Sequence, residues 1–355
     1  MSYKILAINP GSTSTKIALY EDDKEIFCKT LLHPVEEIEK YIKVQDQFGM
    51  RKEVVLSFLK ENGYDVNKLS AVVGRGGLLP AVQSGAYKVN EIMVDRLKNN
   101  PVVEHAANLG ALIAYEIANS AKVFAYIYDS VRVDELKDIA RISGMSELPR
   151  TSSSHALNSR AMAMRVAKKH GKKYSDMNFV VVHLGGGVSL SVHEKGRMVD
   201  IISDDEGPFS PERSGRLPAS ALIDLCYSGK YDKSTMVKKI RGNGGLKSHL
   251  NTTDVKVVLK MIDDGDEKAK LILEAMAYQV AKGIGELATV VYGDVDVIVI
   301  TGGVAYSDLI TGWIKKRVEF IAPVEIMPGE NEMESLALGI FRVLKGEEKA
   351  KEYTE

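Results

Sequence analysis

The feature that most constrains this chain is a pattern that occurs twice. Residues 4–30, "KILAINPGSTSTKIALYEDDKEIFCKT", run as apolar strand, glycine turn, alternating strand, polar turn and strand. Residues 178–202, "NFVVVHLGGGVSLSVHEKGRMVDII", follow the same order. Period-two alternation marks half-buried strands, and glycine and charged breaks mark the turns between them. The separation of the two blocks is far beyond the period of a solenoid repeat. One domain type, present twice, is the expected organisation.

Helical segments fill the remainder. Residues 101–121 carry Pro at their start and an apolar stripe at helical spacing. Residues 154–171 end in Lys, Lys, His, Gly, a helix stop. Residues 266–293 read as a long amphipathic helix, 294–310 as strand, glycine turn and helix start, and 332–346 as a terminal helix. Strand blocks followed by alternating strands and helices predict two α/β domains with mixed sheets. The expected division is 1–150 with the returning helix 331–355, against 151–330, with the loop-like "LPRTSSS" at the junction.

Bulk properties exclude several classes. The 355 residues are 45% apolar and 27% charged, ordinary for a globular chain of about two domains. Lys plus Arg is 47 against 48 Asp plus Glu, so there is no basic excess for nucleic acid. Two distant cysteines, Cys28 and Cys226, make neither a disulfide framework nor a zinc set. No apolar run reaches the roughly 18–20 residues of a membrane span, and "MSYK" leads directly into a strand-like run. A cytoplasmic enzyme without membrane or nucleic-acid partners is expected.

The glycine turns point to phosphate. "NPGSTSTK" is not a Walker loop, because Lys16 follows the hydroxyl residues and a strand, not a helix, comes next. A phosphate there would be held by backbone N–H groups of a hairpin turn and by hydroxyls such as Ser12. Gly11 would allow close approach, and Lys16 would supply a point charge. The triple glycine of "HLGGG", His183 to Gly187, again lies between strands, which argues against a dinucleotide-binding turn. The third turn, "TGG" with Gly302 and Gly303, precedes a helix-like segment and suits a nucleoside. Two hairpins gripping phosphates from opposite domains is the expected arrangement.

These motifs, in this order, resemble the superfamily of acetate and sugar kinases, chaperone ATPases and actin, and in particular the acetokinase family. "NPGSTSTK", "HLGGG", "ERSGR" and "VDVIVITGGVAYSD" are similar to that family's signatures, and the shorter length and the departures resemble its butyrate kinase branch. The resemblance implies two ribonuclease H-like domains of actin-like ATPase type with a cleft between them, ATP/ADP and magnesium as nucleotide and metal, and a short-chain fatty acid with its acyl phosphate as substrates. It also implies self-association into at least a dimer. Residue by residue, it implies that Asn9 touches metal or phosphate and that Lys16 touches phosphate. It places Arg75 on the carboxylate, Asp129 in the active site, Arg213 on the moving phosphoryl group and Glu332 on magnesium. Gly185, Gly186 and Gly187 fall in the phosphate turn with His183.

Two departures stand out. The family's Phe-His-Gly-Thr-Ser-His is replaced by "RTSSSH", so His155 matches the second histidine and Thr151 takes the place of the first. "GVAYS" stands where the family has Gly-Ile-Gly-Glu-Asn. His105, His170 and His249 show no partner pattern and are assigned to structure or surface. The helix near Ala106–Ala118 is either an association surface or core. Phosphoryl transfer to butanoate, run towards ATP synthesis, is the expected reaction; isobutyrate, acetate or propionate are alternative acids, and sugar kinases or actin-like ATPases more distant ones. A carboxylate is already ionised near pH 7 and needs no base, whereas a sugar hydroxyl would. Arg75 suits the carboxylate, because a guanidinium meets it with two parallel hydrogen bonds.

Overall fold

The duplicated pattern folds into two three-stranded meanders, each forming one side of its own sheet. The structure, a computed structural model, describes residues 2–354. The chain groups into two units, residues 1–134 with 331–355, and residues 135–330.

In the first unit β1 (Lys4–Pro10), β2 (Ser14–Glu21) and β3 (Lys24–Leu32) form the antiparallel meander. β4 (Ala71–Arg75) pairs parallel with β1. β5 (Ala86–Lys88) and β6 (Phe124–Tyr128) continue the sheet, β6 parallel to β4 and β5 antiparallel to β6. A short strand at Lys351–Glu352 closes the far edge beside β5. Parallel neighbours require crossover connections, which is why helices separate β1 from β4 and β4 from β6.

The second unit repeats the plan. β7 (Asn178–Leu184), β8 (Val188–Glu194) and β9 (Arg197–Ile202) form its meander. β10 (Val297–Gly302) and β11 (Val324–Pro328) add to β7 in parallel. The order β11-β10-β7-β8-β9 matches β6-β4-β1-β2-β3 of the first unit. Both strand triplets therefore occupy equivalent places, as the doubled pattern predicts.

Burial follows the periodicity. β7 is buried along its whole length, as its unbroken apolar run predicts for a strand covered on both faces. Val180 and Val182 pack with Leu273, Met276 and Val280 of the helix Glu267–Ala288. Phe179 and Val181 pack with Met162 and Val166 of the helix Ala156–Lys169 on the other face. In the first unit Leu6, Ile8 and Ile17 meet Val55 and Leu59 of the helix Phe48–Glu61, and Leu109 and Ile113 of the helix Asn108–Ala121. Each such fully buried side chain contributes about 1.5–3 kcal/mol. The terminal helix Glu332–Leu344 covers β1 and β4 of the same unit.

Two local differences from the sequence reading have physical causes. The helix expected from Pro101 begins at Asn108. Asn108 donates its side-chain amide to the Val103 carbonyl at 2.9 Å, and His105 Nδ1 accepts the Ala107 N–H at 3.1 Å. These side chains take the partners that a helix through 103–107 would need. The segment 135–150 groups with the second unit: Arg150 donates to the Ala140 carbonyl at 2.8 Å and pairs with Asp200 at 3.1 Å and Glu206 at 3.0 Å. Of the two readings of the helix near Ala106–Ala118, core holds, because Leu109, Ala111, Leu112 and Ile113 are buried. The helix Ala219–Tyr227 is the opposite case: it is apolar yet buries none of its residues.

Candidate active site

In the first unit the expected site residues gather at the carboxyl ends of adjacent parallel strands. Asn9 lies near the end of β1, Arg75 ends β4, and Asp129 follows β6. Function concentrates at such strand ends because the loops leaving them are free to diverge. Lys16 is paired with Asn9 in the β1–β2 register, so the two side chains share a face, and Lys16 is exposed. Glu332 opens the terminal helix, and its Oε2 accepts a hydrogen bond from Asn9 Nδ2 at 2.6 Å.

Arg75 is 6% exposed. Its Nη1 donates to the Asp129 carbonyl at 3.1 Å, and its Nη2 lies 3.8 Å from Glu332 Oε1. The guanidinium is thus aimed by a neutral carbonyl and only loosely paired. Gly74 and Gly110 make its placement possible: a Cβ on Gly74 would meet the Gly110 carbonyl oxygen at 2.1 Å, so only glycine lets the helix approach β4 this closely.

Asp129 is buried and has φ of +42°, a left-handed conformation that Asp and Asn tolerate better than most residues. The Gly85 N–H donates to its Oδ1 at 2.6 Å, and its own N–H donates to the Gly85 carbonyl at 3.2 Å. Backbone strain held by surrounding bonds is frequent at functional positions. His105, assigned from sequence to structure or surface, belongs near this group. Desolvation, and then the Arg75 guanidinium, hold its pKa below the ordinary range. Its spacing in the sequence carries no signal of that proximity.

In the second unit the expected residues surround the Gly185–Gly187 turn. The Gly185 N–H donates to the Gly187 carbonyl at 3.0 Å. The Gly186 carbonyl accepts from Ser210 Oγ at 2.6 Å, and Ser210 Oγ also accepts the Arg213 N–H at 3.1 Å. The turn is close to both side chains: a Cβ on Gly187 would lie 2.8 Å from Arg213 Nη1, and one on Gly185 would lie 2.9 Å from His183 Nε2. Arg213 pairs with Asp204, which also receives Arg241 at 3.3 Å; Glu206 is engaged instead with Arg150.

His155 and His183 form a stack, with ring centroids 3.9 Å apart and planes 12° from parallel. His155 precedes the helix Ala156–Lys169, and its Nδ1 bonds Ser189 Oγ at 2.8 Å. His183 Nδ1 meets Asn158 Oδ1 at 3.0 Å, while Asn158 Nδ2 donates to the Glu330 carbonyl at 2.7 Å, which fixes the orientation of the amide. Burial pushes the His183 pKa down to about 4, so this imidazole is neutral near pH 7. Gly302, at φ of +93°, exchanges backbone hydrogen bonds with Gly329, and Gly303 begins a single 3₁₀ turn before the helix Asp308–Val318.

The largest omission of the sequence reading is Arg51, which sits inside the first unit directly behind the Gly11 turn. Nothing in "MRKE" distinguishes it from a solvated helix arginine.

The family model of the acetokinase family matches residues 149–321. Butyrate kinase 1 of Clostridium acetobutylicum is 54% identical over 353 residues, 99% of each chain. A probable butyrate kinase of Clostridium botulinum (strain Alaska E43 / Type E3) is 50% identical over 355 residues, 99% of this chain and 100% of its own. The crystal structure of Porphyromonas gingivalis acetate kinase is 18% identical and superposes with a TM-score of 0.78, covering 94% of this chain and 98% of that one. That likeness shows the fold, two ribonuclease H-like units of actin-like ATPase type. With half of its residues shared with butyrate kinases over the full length, the chain belongs to the acetokinase family.

Proposed function

We propose that this chain transfers a phosphoryl group between ATP and a short-chain carboxylate, butanoate + ATP = butanoyl phosphate + ADP, in a single in-line step that runs towards ATP synthesis. The observation that carries the reading is Arg75, a buried guanidinium aimed by the Asp129 carbonyl and only loosely paired with Glu332. Such a group binds a carboxylate through two parallel charge-assisted hydrogen bonds. Two relatives of about half-identical sequence are named as butyrate kinases, which favours a four-carbon acid.

The donor set fits magnesium and phosphate. Magnesium takes hard oxygen ligands, keeps several waters and needs few carboxylates when phosphates complete its shell. Glu332 and the Asn9 side-chain oxygen would hold it; Asn9 Nδ2 is engaged with Glu332, which leaves its oxygen directed elsewhere. When bound, the metal neutralises charge on the phosphates. Written from ATP, with ATP synthesis as its reverse, the step begins with Arg75 orienting the acid, whose carboxylate oxygen attacks the γ-phosphorus. The bond to the β-phosphate bridging oxygen breaks, and its electron pair leaves with ADP. In the first unit Lys16 supplies charge for a phosphoryl group and the Gly11–Ser12 turn supplies backbone N–H groups for phosphate; in the second, Arg213 and the Gly185–Gly187 turn supply the same. The Gly302–Gly303 turn receives the nucleoside. His155, aligned by Ser189 and stacked on His183, provides the imidazole of the site. The ionised acid needs no base, so Asp129 acts by position and charge.

A hydroxamate assay tests the reaction, with ATP, magnesium and formate, acetate, propionate, butyrate, isobutyrate or valerate. Butyrate is the expected best substrate; activity on hexoses without any acyl phosphate would overturn the reading. No helix among the described residues is long and apolar enough to cross a membrane. The chain is further proposed to self-associate, and the exposed apolar helix Ala219–Tyr227 is the surface that supports this. Sedimentation of Ile223→Asp against the parent chain tests it, a loss of mass being expected.

A further inference from the structure

Arg51 is 0% exposed, a charged side chain wholly inside the first unit. Its five N–H donors are all used. Nε and one Nη2 hydrogen go to Gln47 Oε1, at 3.0 and 2.8 Å. Nη1 donates to the carbonyls of Gly11 at 2.8 Å and Ser14 at 2.9 Å, and Nη2 to that of Ser12 at 2.8 Å. Among the described residues no carboxylate pairs with it; its only partners are amide and hydroxyl oxygens. A buried cation without a counter-ion is costly, and one that persists calls for a reason.

The reason lies in what its bonds do to the turn. In a trans peptide the N–H points opposite the C=O. Holding the Gly11 and Ser12 carbonyls inward therefore turns the N–H groups of Ser12 and Thr13 outward. The Thr13 carbonyl is taken as well, by the N–H of His33 at 2.9 Å, and the Ser14 carbonyl also accepts the Gly11 N–H at 2.8 Å. All four carbonyls of the turn face partners in the protein, while Ser12 and Thr13 are exposed. His33 bonds Thr15 at 2.8 Å and stays neutral, since burial and then Arg51 depress its pKa, so Arg51 has no second cation beside it. Concave arrays of outward N–H groups bind anions.

We propose that Arg51 is a positioning residue for nucleotide phosphate: it aims the Ser12 and Thr13 N–H groups at the anion, and the anion is the counter-charge that Arg51 otherwise lacks. The inference rests on the reading of the Gly11 turn as a phosphate cradle. Arg51→Met keeps the apolar length and removes both the charge and the carbonyl ties. It is expected to raise the KM for ATP about tenfold or more while the KM for butyrate stays within about twofold, a split that loss of packing alone would not produce. Arg51→Lys keeps the charge but not the fork, and recovers part of the effect.

Inactivity of the parent chain on every acid would sink the parent reading, whatever Arg51 does. An active parent with unchanged ATP KM in a folded Arg51→Met would overturn the role of Arg51 alone. Should Arg51→Met not fold, amide resonances of the unmodified chain decide. Downfield shifts of the Ser12 and Thr13 amides on adding ADP support the proposal, and their silence at saturation overturns it.

Discussion

Asn9 donates its side-chain amide to Glu332 across 323 positions of sequence, at 2.6 Å. The bond ties the end of the first strand to the start of the terminal helix, so the last segment of the chain completes a group begun by the first. Glu332 is thereby held in one orientation while Oε1 faces Arg75 at 3.8 Å. Glu332→Gln keeps the shape and removes the charge. It should raise the magnesium concentration needed for half-maximal rate and lower kcat about 10²-fold or more, the scale of losing one preorganised electrostatic contact, here the hold on the metal that neutralises the phosphates. A magnesium titration of the variant that overlays that of the parent chain would remove Glu332 from this role.

Arg75 makes a different demand. Its bonds inside the protein are one carbonyl and one loose carboxylate contact, so much of its charge remains for a ligand. Arg75→Ala should raise the butyrate KM by about 30-fold or more, the equivalent of roughly 2 kcal/mol of charge-assisted hydrogen bonding, and change the ATP KM far less. Arg75→Lys should restore little, because an ammonium cannot form the paired bonds. Equal changes in both constants would contradict the assignment.

The backbone at Asp129 allows shape and charge to be separated. Asparagine also tolerates the left-handed conformation and can accept the Gly85 N–H. Asp129→Asn is therefore expected to melt within a few degrees of the parent while kcat falls about 10²-fold and the nucleotide KM holds. Full activity in that variant would exclude the carboxylate from the reaction.

What the sequence discloses here depends on how far each cause lies along the chain. The two strand triplets were legible because alternation and glycine turns are local, and β7 announced its two-sided burial in "FVVV". Arg75 and Asp129 were expected from the family resemblance alone; the structure sets Arg75 at the end of β4 and Asp129 directly after β6. Arg51 was not legible, because its burial is produced by carbonyls 37–40 positions away. The start of the helix at Asn108 was hidden for a related reason: Pro101 supplies a valid helix signal, but the side chains of His105 and Asn108 capture the backbone groups between them. The segment 135–150 carries no marker of its unit, since Arg150 finds Asp200 and Glu206 only after folding.

Gly187 tests the second unit without touching a charge. A Cβ there would press on Arg213 Nη1 and Cζ, the movable end of a side chain, not on backbone. Gly187→Ala should therefore fold normally and displace Arg213, lowering kcat by about tenfold or more with little change in melting temperature. A variant with parent kinetics would show that Arg213 need not stand against the turn.

Three buried histidines set the acid limit of the fold. Burial holds His33 and His183 at about 4 and His193 at about 3, with Arg51 acting further on His33 and Arg160 on His193. An unfolded histidine titrates near 6.5. Between about pH 6.5 and 4 the unfolded chain binds a proton at each position that the folded chain refuses, so stability is complete above that window and falls as the pH drops through it. Each histidine contributes a slope of about 1.4 kcal/mol per pH unit. His183 and His193 lie in the second unit and His33 in the first, so unfolding of the second unit at pH 5.5 should take up more of these protons. His193 is held by Tyr174 at 2.7 Å and Ser191 at 2.8 Å, contacts that a glutamine can approximate. Calorimetry in buffers of different ionisation enthalpy should find about one proton fewer taken up by His193→Gln. An unchanged proton count would show that His193 is already protonated in the folded chain at that pH.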